Sequence, residues 1–82
     1  MDFELFRKNL MKVRISKGIS GKELSERANL RQKKRVNDIE EGRGKPSLEE
    51  VCSLCKELNV NIDSMLYKVA EVSIEFKSNV PF

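Results

Sequence analysis

Apolar residues recur at helical spacing over most of the chain and switch to strict alternation only near its end. Phe6, Leu10 and Val13 fall at i, i+4 and i+7, one face of an α-helix, and Lys17 is placed to lay its stem along the end of that stripe. The spacing predicts a first helix from Phe3 to about Lys17, capped by Asp2 and stopped by Gly18. Ser20-Gly21-Lys22-Glu23 has the form of a capping box, so a second helix starts there and runs to about Ala28, with Leu24 and Ala28 inward. A helix of about two turns is stable only when packed against neighbours. Asn29 and Leu30 make a tight connection to a third helix, expected from about Gln32 to Glu41, which buries Val36 and Ile39 and is ended by Gly42. A second capping box, Ser47 to Glu50, opens a fourth helix to about Leu58 with Val51, Leu54, Cys55 and Leu58 on one face. Asn61 or Asp63 opens a short fifth helix containing Met65 and Leu66. Met11, Met65 and Tyr67 are read as packing residues. Near the end Val72, Ile74 and Phe76 alternate with Ser73, Glu75 and Lys77, the signature of a strand with one apolar face. The expected architecture is all-α, five helices followed by a short C-terminal β-strand tail.

A length of 82 residues allows one compact domain. A core this small gains from very regular helix packing or from a dimer. No segment approaches the roughly 18 apolar residues of a membrane span. The first ten residues mix acids and bases without an apolar signal core, so the cytoplasm is the expected compartment and no membrane contact is expected. Charge is unevenly spread. Residues 1–45 hold 13 Lys/Arg against 7 Asp/Glu, a net +6, whereas residues 46–82 hold 3 against 6, a net −3. A basic first half suits a polyanion, because neutralising phosphates releases counterions. On charge alone, a solvated surface would look the same.

The order of elements narrows the choice. Two short helices joined by a turn, with a dense basic run opening the second, form a helix-turn-helix pattern, whose second helix lies in the major groove with its N-terminal side chains at base edges. Here that stretch reads Arg31, Gln32, Lys33, Lys34, Arg35, Val36, Asn37, Asp38. Gln and Asn make bidentate contacts to adenine, and Lys or Arg contacts guanine or phosphate. Cations at a helix N-terminus oppose its dipole, so a basic run there is a local cost that points to function. Catalysis has little support: the chain has no histidine, no Gly-rich phosphate loop and no inferable pair of acids. Cys52 and Cys55 lack the further ligands that structural zinc needs, and they sit mid-helix rather than at the helix start of a redox motif. They are read as reduced thiols in or beside the core; no metal or cofactor is expected, a zinc shared between two subunits being the one exception.

The segments KVRISKGISGKELSERANL, VNDIEEGRGKPSLEEV and CSLCKELNVNIDSML resemble, in that order, the first two helices, the recognition-helix end with its loop, and the last two helices of the Cro/repressor-like (XRE-type) helix-turn-helix family. The resemblance covers about residues 5–68 and implies a lambda-repressor-like DNA-binding domain over residues 1–69, with residues 70–82 as the tail. It places Gln32 and Lys33 at base-reading positions, with Lys34 and Asn37 as further base-contacting candidates. It places Ser20, Arg43 and Lys45 at phosphate contacts, to which Gly21, Lys22, Arg31 and Arg35 are added. Arg14 and Glu40 resemble the family's partly buried ion pair between helices one and three. Two departures stand out. Gly21 replaces a glutamine that contacts phosphate in most members, leaving only a backbone N–H. The stretch between Leu30 and Val36 is one residue longer than usual. The extra residue either rotates the helix start by about 100° or is absorbed in a longer turn, and these outcomes turn different members of Lys33, Lys34 and Arg35 toward bases. A carboxylate favours only cytosine, so Asp38 contacts that base or pairs with a basic residue of its own chain.

The implied function is a sequence-specific, double-stranded-DNA-binding transcriptional regulator, a repressor that reads a palindromic operator as a homodimer. The tail strand is expected to pair with its twin across the dimer axis, the alternative being that it packs back on its own helices. The competing function is an antitoxin-like or adaptor module that uses the same fold to hold a protein partner.

Overall fold

The computed structural model describes residues 3–67. They form five helices: α1 (Phe3–Ser16), α2 (Gly21–Arg27), α3 (Arg35–Glu40), α4 (Leu48–Leu58) and α5 (Ile62–Tyr67). The tail expected as a strand, and the Asp2 cap, lie outside the described residues.

One apolar cluster holds the helices together. Phe6, Leu10, Leu24, Val36, Ile39, Val51, Leu54 and Leu58 are completely removed from solvent. Each comes from an expected stripe, so periodicity located the core. Packing density of this kind is what keeps α2 and α3 helical, since neither exceeds two turns. α1 packs on α3 and α5, α2 packs on α3 and α4, and α4 packs on α5. Met11 and Tyr67, expected in the packing, are instead 40% and 66% exposed, while Met65 is 2% exposed. Lys17 lies beyond the end of α1 and is exposed, so its stem does not extend the stripe.

The first four helices all end in the same way. A residue in the left-handed region follows each one: Gly18 (φ 68°), Asn29 (φ 59°), Gly42 (φ 82°) and Asn59 (φ 57°). The next residue then donates its N–H back to the carbonyl five residues earlier: Ile19 to Arg14, Leu30 to Ser25, Arg43 to Asp38 and Val60 to Cys55. These reversals satisfy carbonyls that a helix end leaves orphaned.

Helix starts differ more. Ser47 and Glu50 close a full capping box on α4. At α2 only half of the box forms. Ser20 Oγ accepts from the Glu23 N–H at 3.0 Å, while the Glu23 carboxylate pairs with Arg27 one turn later, at 2.6 Å. The third helix starts at Arg35, not at Gln32 as expected. The added residue before Val36 is absorbed in a longer turn, closed by the Arg35 N–H donating to the Gln32 carbonyl at 3.1 Å. Most of the basic run therefore precedes the helix. Only Arg35 lies inside it, with Lys34 at its cap.

Candidate nucleic-acid interface

Three anchors fix the turn–helix unit. The first is the ion pair joining α1 to α3. Arg14 Nε and Nη2 donate to the two Glu40 carboxylate oxygens at 2.8 and 3.0 Å, and Nη1 donates to the Ile19 carbonyl at 2.9 Å. The Glu40 side chain is only 2% exposed. Hydrogen bonding to Glu40 raises the Arg14 pKa above its already basic value, against the opposing effect of burial.

The second anchor is Ser25, a buried hydroxyl on α2. Its Oγ donates to the Gly21 carbonyl at 2.8 Å and accepts from the Val36 N–H at 3.0 Å. Lys34 offers α3 no side-chain cap. Ser25 supplies it from the preceding helix.

The third anchor is Glu50. Its carboxylate takes Arg35 Nε and Nη2 at 2.8 and 2.9 Å and also accepts the Ser47 N–H at 2.9 Å. Arg35 Nη2 donates further to the Lys45 carbonyl at 3.0 Å. One guanidinium thus ties the start of α3 to the loop before α4. Hydrogen bonding to Arg35, reinforced by the Ser47 N–H, holds the Glu50 carboxyl below its ordinary range despite partial burial. Gly44 adopts φ +91° beside this pair, where a Cβ would stand 3.2 Å from Arg35 Nη1.

Between the anchors, Arg31, Gln32, Lys33 and Lys34 are all exposed. Lys33 Nζ lies 3.9 Å from Glu26, a loose surface pair. Asn37, on the first turn of α3, is half-buried, with its amide against Gly21. Gly21 is itself buried; Ser20 and Lys22 on either side of it are exposed. In the loop after α3, Arg43 reaches Asp38 at 3.1 Å and also pairs with Glu41, so Asp38 takes a basic partner from its own chain. Lys45 is exposed, and the side chains of Lys22, Arg31, Lys34 and Lys45 form no ion pair among the described residues. Loose or unpaired cations on one α2–turn–α3 unit are what a phosphate-lined partner needs. A groove of about 650 Å³ lies between this turn and the start of α4, lined among others by Arg31, Gln32, Lys45 and Glu49.

Ser25, Asn9 and the Arg35–Glu50 link were not found from sequence. Asn9 is fully buried and donates to the Met65 carbonyl of α5 at 2.9 Å. Its signal was a polar residue beside Leu10 and three after Phe6, inside the apolar stripe. Ser25 gave a similar signal, between Leu24 and Ala28 of a helix that must pack.

Cys55 is buried and Cys52 exposed, both as free thiols. Burial, with a smaller contribution from Cys52, pushes the Cys55 thiol up to about 11. Among the described residues no group of three or more His, Cys, Asp or Glu side chains could hold a metal ion. No helix among them is long and apolar enough to cross a membrane.

A family model described as helix-turn-helix matches residues 10–65, from the middle of α1 into α5. Comparison with curated proteins and with solved structures returned no match. With five helices in the expected order, an exposed basic turn before the third and a family match over most of its length, the chain belongs to the Cro/C1-type (XRE) helix-turn-helix family of DNA-binding regulators.

Proposed function

We propose that the protein represses transcription by binding a palindromic operator as a homodimer, in the cytoplasm, with Gln32, Lys33, Lys34 and Asn37 at base edges. Ser20, Gly21, Lys22, Arg31, Arg43 and Lys45 are assigned to the phosphates on either side. Arg35 was a phosphate candidate as well; its bidentate bond to Glu50 favours a role in holding the turn against the loop. The observation that carries this reading is the exposed turn of residues 31–34, held at both ends by bonds to α2 and α4 and bearing three cations and an amide. The tail, residues 70–82, is assigned to dimerisation on its alternating apolar face. A symmetric dimer sets two α3 helices about 34 Å apart, one helical turn of DNA.

The test is selection from random duplexes at two salt concentrations, with the wild type and the Lys33→Ala/Lys34→Ala variant. Enrichment of a palindrome that is lost or altered in the variant supports the reading. Salt-sensitive binding without enrichment rejects operator recognition and places specificity in a protein partner.

A further inference from the structure

Gly21 is not explained by its backbone. It opens α2 without the positive φ found at Gly18, Gly42 and Gly44, so the chain path there admits any L residue. Glycine is also a poor helix former. What excludes a side chain is Asn37. A Cβ on Gly21 would stand 2.3 Å from Asn37 Oδ1, 2.7 Å from Cγ and 2.9 Å from Nδ2. The whole amide lies across the space that a side chain would occupy.

That amide forms no hydrogen bond with the described residues. No buried side-chain nitrogen or oxygen among them lacks a partner, so the unbonded donor and acceptor of Asn37 reach solvent. The result is a side chain confined by packing on one side and chemically unspent on the other.

We infer that Gly21 is a specificity-determining positioning residue: the side chain it lacks seats the Asn37 amide in one orientation, ready for the major-groove edge of an adenine. An amide offers one donor and one acceptor, which match adenine N7 and N6–H. Seating it beforehand reduces the rotamer freedom lost on binding. The inference rests on the DNA-reading role proposed for α3.

The experiment compares the wild type, Gly21→Ala, Asn37→Ala, the double variant and Asn37→Gln. Binding is measured to the selected duplex and to duplexes in which each adenine of the half-site is replaced in turn, and thermal melts accompany each variant. Gly21→Ala is expected to stay folded, because the group it displaces is the far end of one side chain. Its discrimination at one adenine per half-site is expected to fall about tenfold. In the Asn37→Ala background the same substitution is expected to add nothing, because the two residues act as one unit. Asn37→Gln leaves Gly21 untouched and keeps the amide on a longer stem that cannot sit in the same place, so it is expected to lose discrimination too, whether or not Gly21→Ala folds. Full discrimination retained by Gly21→Ala or by Asn37→Gln overturns the inference. So does an equal loss in both Asn37 backgrounds, which would give Gly21 a role independent of the amide. A wild type that selects no sequence overturns the inference together with the function beneath it, and only that outcome appears in the wild-type arm.

Discussion

The hydroxyl of Ser25 stands 3.0 Å from the backbone nitrogen of Val36, so α3 takes its cap from the helix before it. The same oxygen donates to the Gly21 carbonyl, which fixes its orientation. Ser25→Ala removes the acceptor and leaves the Val36 N–H buried without a partner. A loss of about 1–3 kcal/mol is expected in urea unfolding. Amide exchange at Val36 should accelerate more than exchange in α4, since the opening is local.

Arg14 and Glu40 form the more buried of the two bidentate pairs. Removing either partner strands a charge away from water. Arg14→Ala and Glu40→Ala should each cost about 3–5 kcal/mol. The two losses should be strongly non-additive in the double variant, because the second substitution removes the charge stranded by the first. Melting temperatures of the three variants check this.

Glu50 adds a pH signature. Its carboxyl titrates below its ordinary value of 4.5 in the folded chain. A depressed carboxyl stabilises the fold fully above its unfolded pKa and loses that contribution as the pH falls through its folded pKa. Glu50→Gln should therefore lower stability by about 1–3 kcal/mol at pH 7. The gap between variant and wild type should close in acid, below the carboxyl's lowered value. Urea titrations at pH 7 and in acid distinguish this from a pH-independent packing defect.

The ion pairs around Arg43 make a prediction about salt. Arg43 is held by Asp38 and Glu41, whereas Lys34 forms no ion pair among the described residues. Lys34→Ala should make the dependence of log affinity on log salt shallower by about one per bound protomer. Asp38→Asn with Glu41→Gln frees Arg43 for phosphate and should steepen it by a similar amount. Fluorescence titrations of a labelled duplex over a salt series give both slopes.

The two cysteines should react unequally. Cys55 is buried and its thiol is pushed up to about 11, while Cys52 is exposed. The thiolate is the nucleophile, so alkylation of the folded protein near pH 8 should add one group, at Cys52. A second group should follow only on unfolding. Intact mass and peptide mapping read both.

The parts of the fold legible in sequence were those specified locally. The stripe of α1, the Ser47–Glu50 box of α4 and the reversal at Gly18 each lie within one or two turns of chain, where spacing alone decides the geometry. The start of α3 was not legible for the opposite reason. Its cap lies 11 residues upstream at Ser25, and the partner of Arg35 lies 15 residues downstream at Glu50. A basic run read without those two groups looks like the first turn of a helix. Met11 and Tyr67 erred in another way: an apolar residue just off a stripe has the composition of a core position and the direction of a surface one. At the candidate interface, residue types made Gln32, Lys33 and Lys34 candidates and the structure leaves them exposed, but they gave no sign of the Asn37 amide lying against Gly21, which depends on how two helices approach.

Residues 31–34 run between fixed points, from Leu30, bonded to Ser25 of α2, to Arg35, bonded to Glu50 of α4. All four side chains face water, and the core ends on either side of them. Under the DNA-reading role proposed for them, substitutions in this stretch are screened by the sequence they recognise and scarcely by folding. A lineage carrying this scaffold could exchange the four residues as a cassette, acquiring a new target sequence while its interior stayed the same.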